Sequence, residues 1–449
     1  MTSESFFEEI PKALFPYCNY EMNDSRILVY SGHFSLNNRG INEILEGEIY
    51  YSLNGEVELV FKGKGERLDL SWFESDGDLQ ISTPSGLAGK CRLNSCVSCN
   101  DGKNTFQGFI QHLFAEQRKC SQWHWSYMNM TAFIGELVTR ITENHRSVKK
   151  DRLSFSCKDG TKIILENTEK RTSSSEISRY SISHHCALIP ANDKPIDFDY
   201  ACKYIIAFSH FIGFVVGRYH SPILIEGIDD KDQHFSYHFS GYDKSRVGVN
   251  SWLPYPNDTD IESLWPIFEE IWNGDDADKA DILSTALHWY QEANINSGKA
   301  EGAFIMAITG IQMMSNVILT EEELKGKNHL QNLLKRMKYK PTFDPKSLID
   351  TRNQLIHYNK DNRTKYNTLT REQKLMCLEN ALSVLELSIL YWLEYHGRYA
   401  DRTDANKWRG ASTKKVPWAD VQDEKIILRC QSISYTKEMD ESSVLLKEK

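Results

Sequence analysis

One change of hydrophobic period divides the chain. Up to about residue 250, apolar residues alternate in short runs punctuated by Gly, Asn and Asp; after Leu253-Pro254-Tyr255-Pro256-Asn257-Asp258 they recur every three to four residues. Alternation sends side chains to opposite faces of a strand, and the wider spacing lines one face of a helix. Two prolines and an Asn/Asp cluster are a natural break between such regimes. The expected fold class is therefore α+β, a β-rich N-terminal region followed by an all-α bundle. The 449 residues suffice for two or three packed units.

In the first half, Ile49, Tyr51 and Leu53 alternate up to Asn54-Gly55, and Val57, Leu59 and Phe61 alternate beyond it. An Asn-Gly pair tolerates the positive φ values of a tight turn, which predicts a hairpin. Further strands are expected at Leu68–Phe73, Cys91–Val97, Leu153–Cys157, Lys162–Glu166, Pro222–Ile228 and His234–Phe239, with helices at Met130–Asn144 and Phe198–Val216. In the second half the spacing predicts helices over Ile261–Trp272, Ala277–Ile295, Glu301–Leu319, Leu330–Lys338, Pro345–His357 and Arg371–Tyr395. The last opens on Thr370 with Gln373 in the capping-box position, and Leu375, Leu382 and Ile389 recur along it every seven residues. That stripe suits a bundle core or a dimer seam. Three spans result: a β-rich sensor or regulatory region of one or two subdomains at 1–255, a helical bundle at 256–396 and a polar, loosely packed tail at 397–449.

The N-terminus MTSESFFEEIPKALF has no secretory pattern, and the apolar run Tyr204–Val216 is interrupted by Ser209 and His210. The expected compartment is the cytoplasm, with reduced thiols and no membrane partner. Cys96-x-x-Cys99 with Cys120 and His124 approaches structural-zinc spacing, although cysteines in a strand more often serve as small buried hydrophobes. Neither a resident metal nor a cofactor is expected, and no phosphate-gripping glycine loop is present.

Chemistry gathers near the fifth helix of the second half, in Arg352-Asn353-Gln354-Leu355-Ile356-His357. On a helix Asn353 and His357 share a face and Arg352 sits about 100° round. A permanent cation, an amide and a group titrating near neutrality suit phosphodiester chemistry, in which charge on phosphorus is neutralised and a proton transferred. An Arg followed closely by a His recurs in this chain, but only Arg352 is followed by Asn. Without further context, the same residues suit a solvated helix end with Arg352 paired to Asp350.

With its long capped helix beyond, Arg352-Asn353-x-x-x-His357 resembles the active motif of HEPN ribonucleases. The passages LEGEIYYSLNGEVELVF, YIIAFSHFIGFVVGRYHSPILI and AEGAFIMAITGIQMMSNVILTEEEL extend the likeness to the ApeA-type anti-phage proteins, which join a β-rich region to a C-terminal HEPN bundle. The resemblance implies metal-independent endoribonuclease activity that cuts cellular RNA, tRNA or another structured RNA, as an abortive-infection toxin. It makes Arg352 the phosphate contact, Asn353 the orienting amide and His357 the proton-transfer group, in a homodimer whose β-rich region senses a phage-derived trigger. Gln312 stands where many relatives carry Glu. The alternative is a HEPN module that binds RNA or a partner without cutting.

Charge distribution agrees with an RNA partner. Residues 325–374 hold thirteen basic residues against four acidic, a balance of +9 in a chain whose net charge is −9. Lys335, Arg336, Lys338, Lys360, Arg363 and Tyr358 are the expected RNA-binding residues, with Tyr339 and Tyr366 as further platforms for unpaired bases. The acidic run Asp258, Asp260, Glu262, Glu269, Glu270, Asp275, Asp276, Asp278 and Asp281 is expected to lie against this basic surface and hold it quiet.

Overall fold

The structure is a computed structural model. It describes residues 10–14, 22–23, 26–53, 57–66, 71–74, 79–98, 103–115, 118–142, 145–168, 181–231, 233–239, 249–254, 261–296, 299–325, 328–356, 360–404 and 413–419. It is a mixed α/β chain with a β-rich N-terminal region that includes a barrel, and with helices in the C-terminal half.

Strands β1 (Met22–Asn23), β2 (Arg26–Asn38), β3 (Ile41–Ser52), β4 (Glu58–Gly65), β5 (Gln80–Ser82), β6 (Ala88–Ser98) and β7 (Asn104–Phe114) come first, with a helical turn α1 (Ser71–Glu74) between β4 and β5. Within the sheet order β4-β3-β2-β5-β6-β7, β7 pairs back onto β4 and closes a six-stranded antiparallel barrel. Closure leaves those strands no open edge there. Inward residues at every second position, among them Ile27, Phe34, Leu45, Ile49, Tyr51, Phe61 and Phe106, fill the barrel as its own core. Gly47 faces Gly63 across the β3–β4 ladder. A Cβ at Gly47 would lie 2.1 Å from the Lys62 carbonyl oxygen, so the ladder closes there only over glycine.

The chain then builds a second sheet from β8 (Gln122–Met128), β9 (Glu136–Thr142), β10 (His145–Ser156), β11 (Lys162–Asn167), β12 (Ile182–Ile189), β13 (Ile223–Ile228) and β14 (His234–Phe239), interrupted after β12 by helix α2 (Phe198–Val216). Its order β14-β13-β8-β12-β11-β10-β9 hangs on the end of β7 through β14. Strand β8 is buried on both faces: Trp123, Trp125 and Tyr127 enter the core under α2, while Met128 joins the barrel core.

The helices are α3 (Ile261–Asn273), α4 (Ala277–Ile295), α5 (Ala300–Ile318), the single turn α6 (Glu321–Leu324), α7 (His329–Arg336), α8 (Lys346–Ile356), α9 (Lys360–Asn367) and α10 (Arg371–Trp392). One continuous apolar core runs from Trp125 and Phe155 through Phe208 and Trp265 to Tyr290, Phe304 and Leu385. The change of core therefore falls near residue 114, not at the Pro254–Asp258 break: the second sheet and the helices share a single interior. Of the seven-residue stripe of α10, Leu382 and Ile389 are fully buried in that interior and Leu375, in the second turn, is half-buried. Helices α2 and α10 are long and apolar enough to cross a bilayer by length and composition, and both bury most of their residues here.

Three expectations are corrected, and the described members of the Cys96, Cys99, Cys120 and His124 set, for which no resident metal is expected, are placed as well. Residues 130–135 are irregular and 136–142 form β9, not a helix over Met130–Asn144; edge pairing with β10 and burial of Val138 outweigh the helical spacing. Ser71–Glu74 is a helical turn within the expected strand Leu68–Phe73. Cys96 packs against the barrel core whereas Cys120 lies in the shared core; Cys99 is outside the described residues. Among the described residues no group of three metal-ligating side chains forms. Finally, the segment after Gly397 is not loose where it is described. Strands β15 (Arg398–Ala400) and β16 (Thr413–Lys415) pair, and Trp418 is buried with its indole N–H donating to the Tyr395 carbonyl at 2.7 Å.

Two histidines buried in the β-region give a pH prediction. Burial pushes His124 down to about 3, aided by the charges of His185 and His234, and pushes His238 down to about 3. An unfolded imidazole takes its proton near pH 6.5, so between that pH and about 3 the unfolded chain binds more protons than the folded one. Stability is then intact above about pH 6.5 and falls with acidification, by up to ~2 kcal/mol per histidine at pH 5. Urea midpoints should drop between pH 7 and 5 and drop less in His238→Gln; a flat profile contradicts the burial.

Candidate nucleic-acid interface

Helix α8 starts where Asp344 caps it, its carboxylate accepting the Lys346 N–H at 3.0 Å. Leu348, Thr351 and the partly buried Leu355 turn inward, and Thr351 Oγ1 lies 3.8 Å from Cys377 Sγ on α10. The same helical spacing places Ile349, Arg352 with Asn353, and Ile356 along one stripe. Ile349 and Ile356 are 38% and 46% exposed, with Met376 of α10 at 53%.

Arg352 is half-buried, its Nη1 donating to the Asn353 side-chain oxygen at 3.2 Å and its Nε buried with no partner among the described residues. Among the described residues no carboxylate reaches Arg352 as an ion pair, so the pairing with Asp350 does not form. Orienting a guanidinium through a neutral amide leaves its charge available to an anion. His357 and Tyr358 lie outside the described residues. Lys360 and Arg363 belong to α9, and their side chains are likewise not described.

The basic run is spread over α7 to α10. Lys335 and Lys338 are exposed. Arg336 pairs with Glu323 at 3.1 Å on the surface, a contact weak enough for a phosphate to replace. The structure adds Lys374, whose ammonium sits 4.4 Å from the ring centroid of Tyr366 and ties the start of α10 to α9. Tyr366 and Tyr339 are buried, which removes both as stacking platforms. Gln312 is exposed on α5. Helix α9 itself went unread in the sequence because its one apolar anchor is Tyr366.

The acidic run does not lie where the sequence suggested. Glu262 accepts the Ser154 N–H at 2.7 Å, Glu270 pairs with Lys158 at 2.7 Å, and Asp276 caps α4 by accepting the Lys279 N–H. These carboxylates engage β10, the turn after it and their own helix. Asp258 and Asp260 lie outside the described residues.

The chain thus joins a barrel, a second antiparallel sheet and a helical layer that shares that sheet's core, with a half-buried arginine that no carboxylate meets among the described residues. Residues 115–243 match the family model of the YopA central domain and residues 324–414 that of the YopA C-terminal domain, both found in ApeA-like anti-phage proteins. The first match spans β8 to β14 with α2. The second spans α7 to α10 and the β15–β16 hairpin, and so includes Arg352, Asn353 and His357. The HEPN likeness of residues 276–396 is not among these matches. No curated protein and no solved structure matches the chain.

Proposed function

We propose that the chain is an anti-phage endoribonuclease of HEPN type, acting in the cytoplasm, whose β-rich region senses a phage-derived trigger and whose helical half cuts cellular RNA without a metal. The observation that carries the reading is Arg352: oriented by Asn353, without a carboxylate partner among the described residues, and followed five residues later by His357. Lys335, Lys338, Lys360, Arg363 and Lys374 supply the sequence-independent attraction to RNA phosphates.

In this reaction the ribose 2′-oxygen attacks phosphorus as its proton leaves, and the bond from phosphorus to the 5′-oxygen breaks as that oxygen takes a proton. The products are a 2′,3′-cyclic phosphate and a 5′-hydroxyl. His357 is the proton-transfer group, Arg352 holds the phosphate charge and Asn353 fixes the guanidinium. Purified full-length protein incubated with total RNA in excess chelator tests this, with cleavage as the expected result. Gln312, an amide where a carboxylate could have served, favours a second reading in which the module binds RNA without cutting; retention of RNA with no cleavage would select it.

The stripe Ile349, Arg352, Ile356 supports a homodimer that brings two motifs together. Ile356→Asp at the exposed end of α8 should shift the protein to monomer in sedimentation and lower cleavage at least tenfold. Unchanged mass and unchanged activity would remove the dimer from the account.

A further inference from the structure

A cavity of about 410 Å³ opens between the end of α2 and α4, remote in sequence from the Arg352 motif. His210 and Tyr219 line one side, and Ser284, Thr285, His288, Trp289 and Gln291 line the other. None of the residues that line it carries a fixed charge. The His210 ring stacks on Trp272, centroids 4.4 Å apart and planes within 27°, and meets Tyr219 at 4.9 Å. Burial pushes His210 down to about 4, so the ring is neutral at pH 7 and offers one donor and one acceptor.

Gln291 is 8% exposed, and its amide Nε2 is buried with no hydrogen-bond partner among the described residues. A buried amide donor left unpaired costs free energy, and such groups are uncommon in folded chains. Gly213 on α2 makes room for it: a Cβ there would lie 2.7 Å from Nε2. The aromatic walls ask for a flat ligand, the amide for adjacent donors and acceptors on its edge, and a lining without Lys, Arg, Asp or Glu for an uncharged one. Exposed Ser284 and half-buried Thr285 add hydroxyl partners for a polar appendage.

We propose that this cavity binds a nucleobase, stacked on the aromatic wall and read along its edge by Gln291 in the way that Asn and Gln amides read base edges. A free nucleoside and an unpaired base of an RNA strand share that chemistry. Because the walls come from α2, within the segment matching the YopA central domain, and from α4 of the helical half, occupancy would stiffen the contact between them.

The test titrates adenosine, guanosine, cytidine and uridine to about 1 mM into the full-length protein, following the melting temperature and tryptophan fluorescence. At least one nucleoside should raise the melting temperature and change the fluorescence. Gln291→Leu should weaken its binding about tenfold, the scale of one lost hydrogen bond, and Ser284→Trp, at the exposed mouth, should abolish it. A parallel titration with a short single-stranded RNA assigns the source: saturation by nucleoside alone marks a free ligand, and binding of only the strand, lost in Ser284→Trp, marks an RNA base. If Gln291→Leu folds poorly, Ser284→Trp decides. Absence of any response to nucleosides and to the strand overturns the proposal, as does a response unchanged in Ser284→Trp, or one reproduced by inorganic phosphate alone.

Discussion

Arg352→Ala in the full-length protein is expected to lower RNA cleavage by about 10²- to 10³-fold, the usual cost of deleting one group that stabilises transition-state charge. His357→Ala is expected to cost about 10²- to 10⁴-fold, the range for a positioned acid or base. The Arg352 expectation rests on its surroundings. A guanidinium neutralised by a neighbouring carboxylate could be removed with little effect on a bound phosphate. Among the described residues this one meets the Asn353 amide and no carboxylate, and keeps a buried Nε unmatched. Arg352→Lys keeps the charge but loses the planar two-point grip on phosphate, and should recover only part of the rate. Gel quantification of a defined RNA under single-turnover conditions reads all three variants. Equal rates for wild type and Arg352→Ala would return Arg352 to a surface role.

The largest expected loss of stability follows from Glu386→Leu. Glu386 on α10 is buried, accepts the Tyr290 hydroxyl at 2.7 Å and pairs with Arg402 at 2.7 Å. Arg402 also reaches Glu379 at 3.1 Å and the Asn250 carbonyl at 3.0 Å. Burial alone would depress the charge on Arg402, yet Glu386 and Glu379 hold its pKa above the ordinary arginine value. This network clamps together α10, α4, the stretch before the Pro254–Asp258 break and the segment after Gly397.

Removing one partner of a buried pair strands the other, at a typical cost of ~3–5 kcal/mol. Because Glu379 remains, Glu386→Leu should sit near the lower end of that range. The double variant Glu386→Leu with Arg402→Met should recover part of the loss, since Arg402 is then not stranded and only Glu379, whose side chain is 18% exposed, loses its partner. Tyr290→Phe should cost about 1 kcal/mol. Urea unfolding of the four proteins measures this, and a loss below about 1 kcal/mol for Glu386→Leu would mean that water reaches the site.

Where a local signal carried the structure, the sequence was readable. Helix α2 starts and stops as expected because Asp197 caps its N-terminus and Gly217, at φ +85°, closes its C-terminus. The Thr370–Gln373 capping box forms at the start of α10. Long-range pairing was not readable. Residues 130–142 mimic a helix until β10 supplies a neighbour for β9, and Phe133 reaches the core from an irregular stretch. A charged, polar passage after Gly397 gives no hint that Arg402 is buried, because Glu386 and Tyr290 lie in other elements. The barrel's closure depends on β4 meeting β7, about forty residues later in the chain, and no local pattern announces it.

Of the candidate site, the Arg352-Asn353 pair was legible and its setting only in part. Arg352-Asn353 stands out in the sequence as the one such pair followed closely by His, and the structure adds that no carboxylate among the described residues pairs with Arg352. Tyr339 and Tyr366 looked like base platforms in a basic run, but an aromatic ring there serves equally as core, and burial decides for the core. The acidic run is the same lesson in charge: spacing cannot say that Glu262 and Glu270 face β10 and the turn that follows it.

The central claim is tested most directly by the chemistry of the RNA ends. Wild-type and His357→Ala proteins, each purified at full length, are incubated with the same RNA in excess chelator, and the ends are sequenced after selective capture of 5′-hydroxyl termini and 2′,3′-cyclic phosphates. The account predicts paired 5′-hydroxyl and 2′,3′-cyclic phosphate ends at discrete positions with wild type, and none above background with His357→Ala although both proteins retain the RNA. Ends bearing 5′-phosphates, cleavage that requires an added metal, or the same ends from both proteins would contradict it.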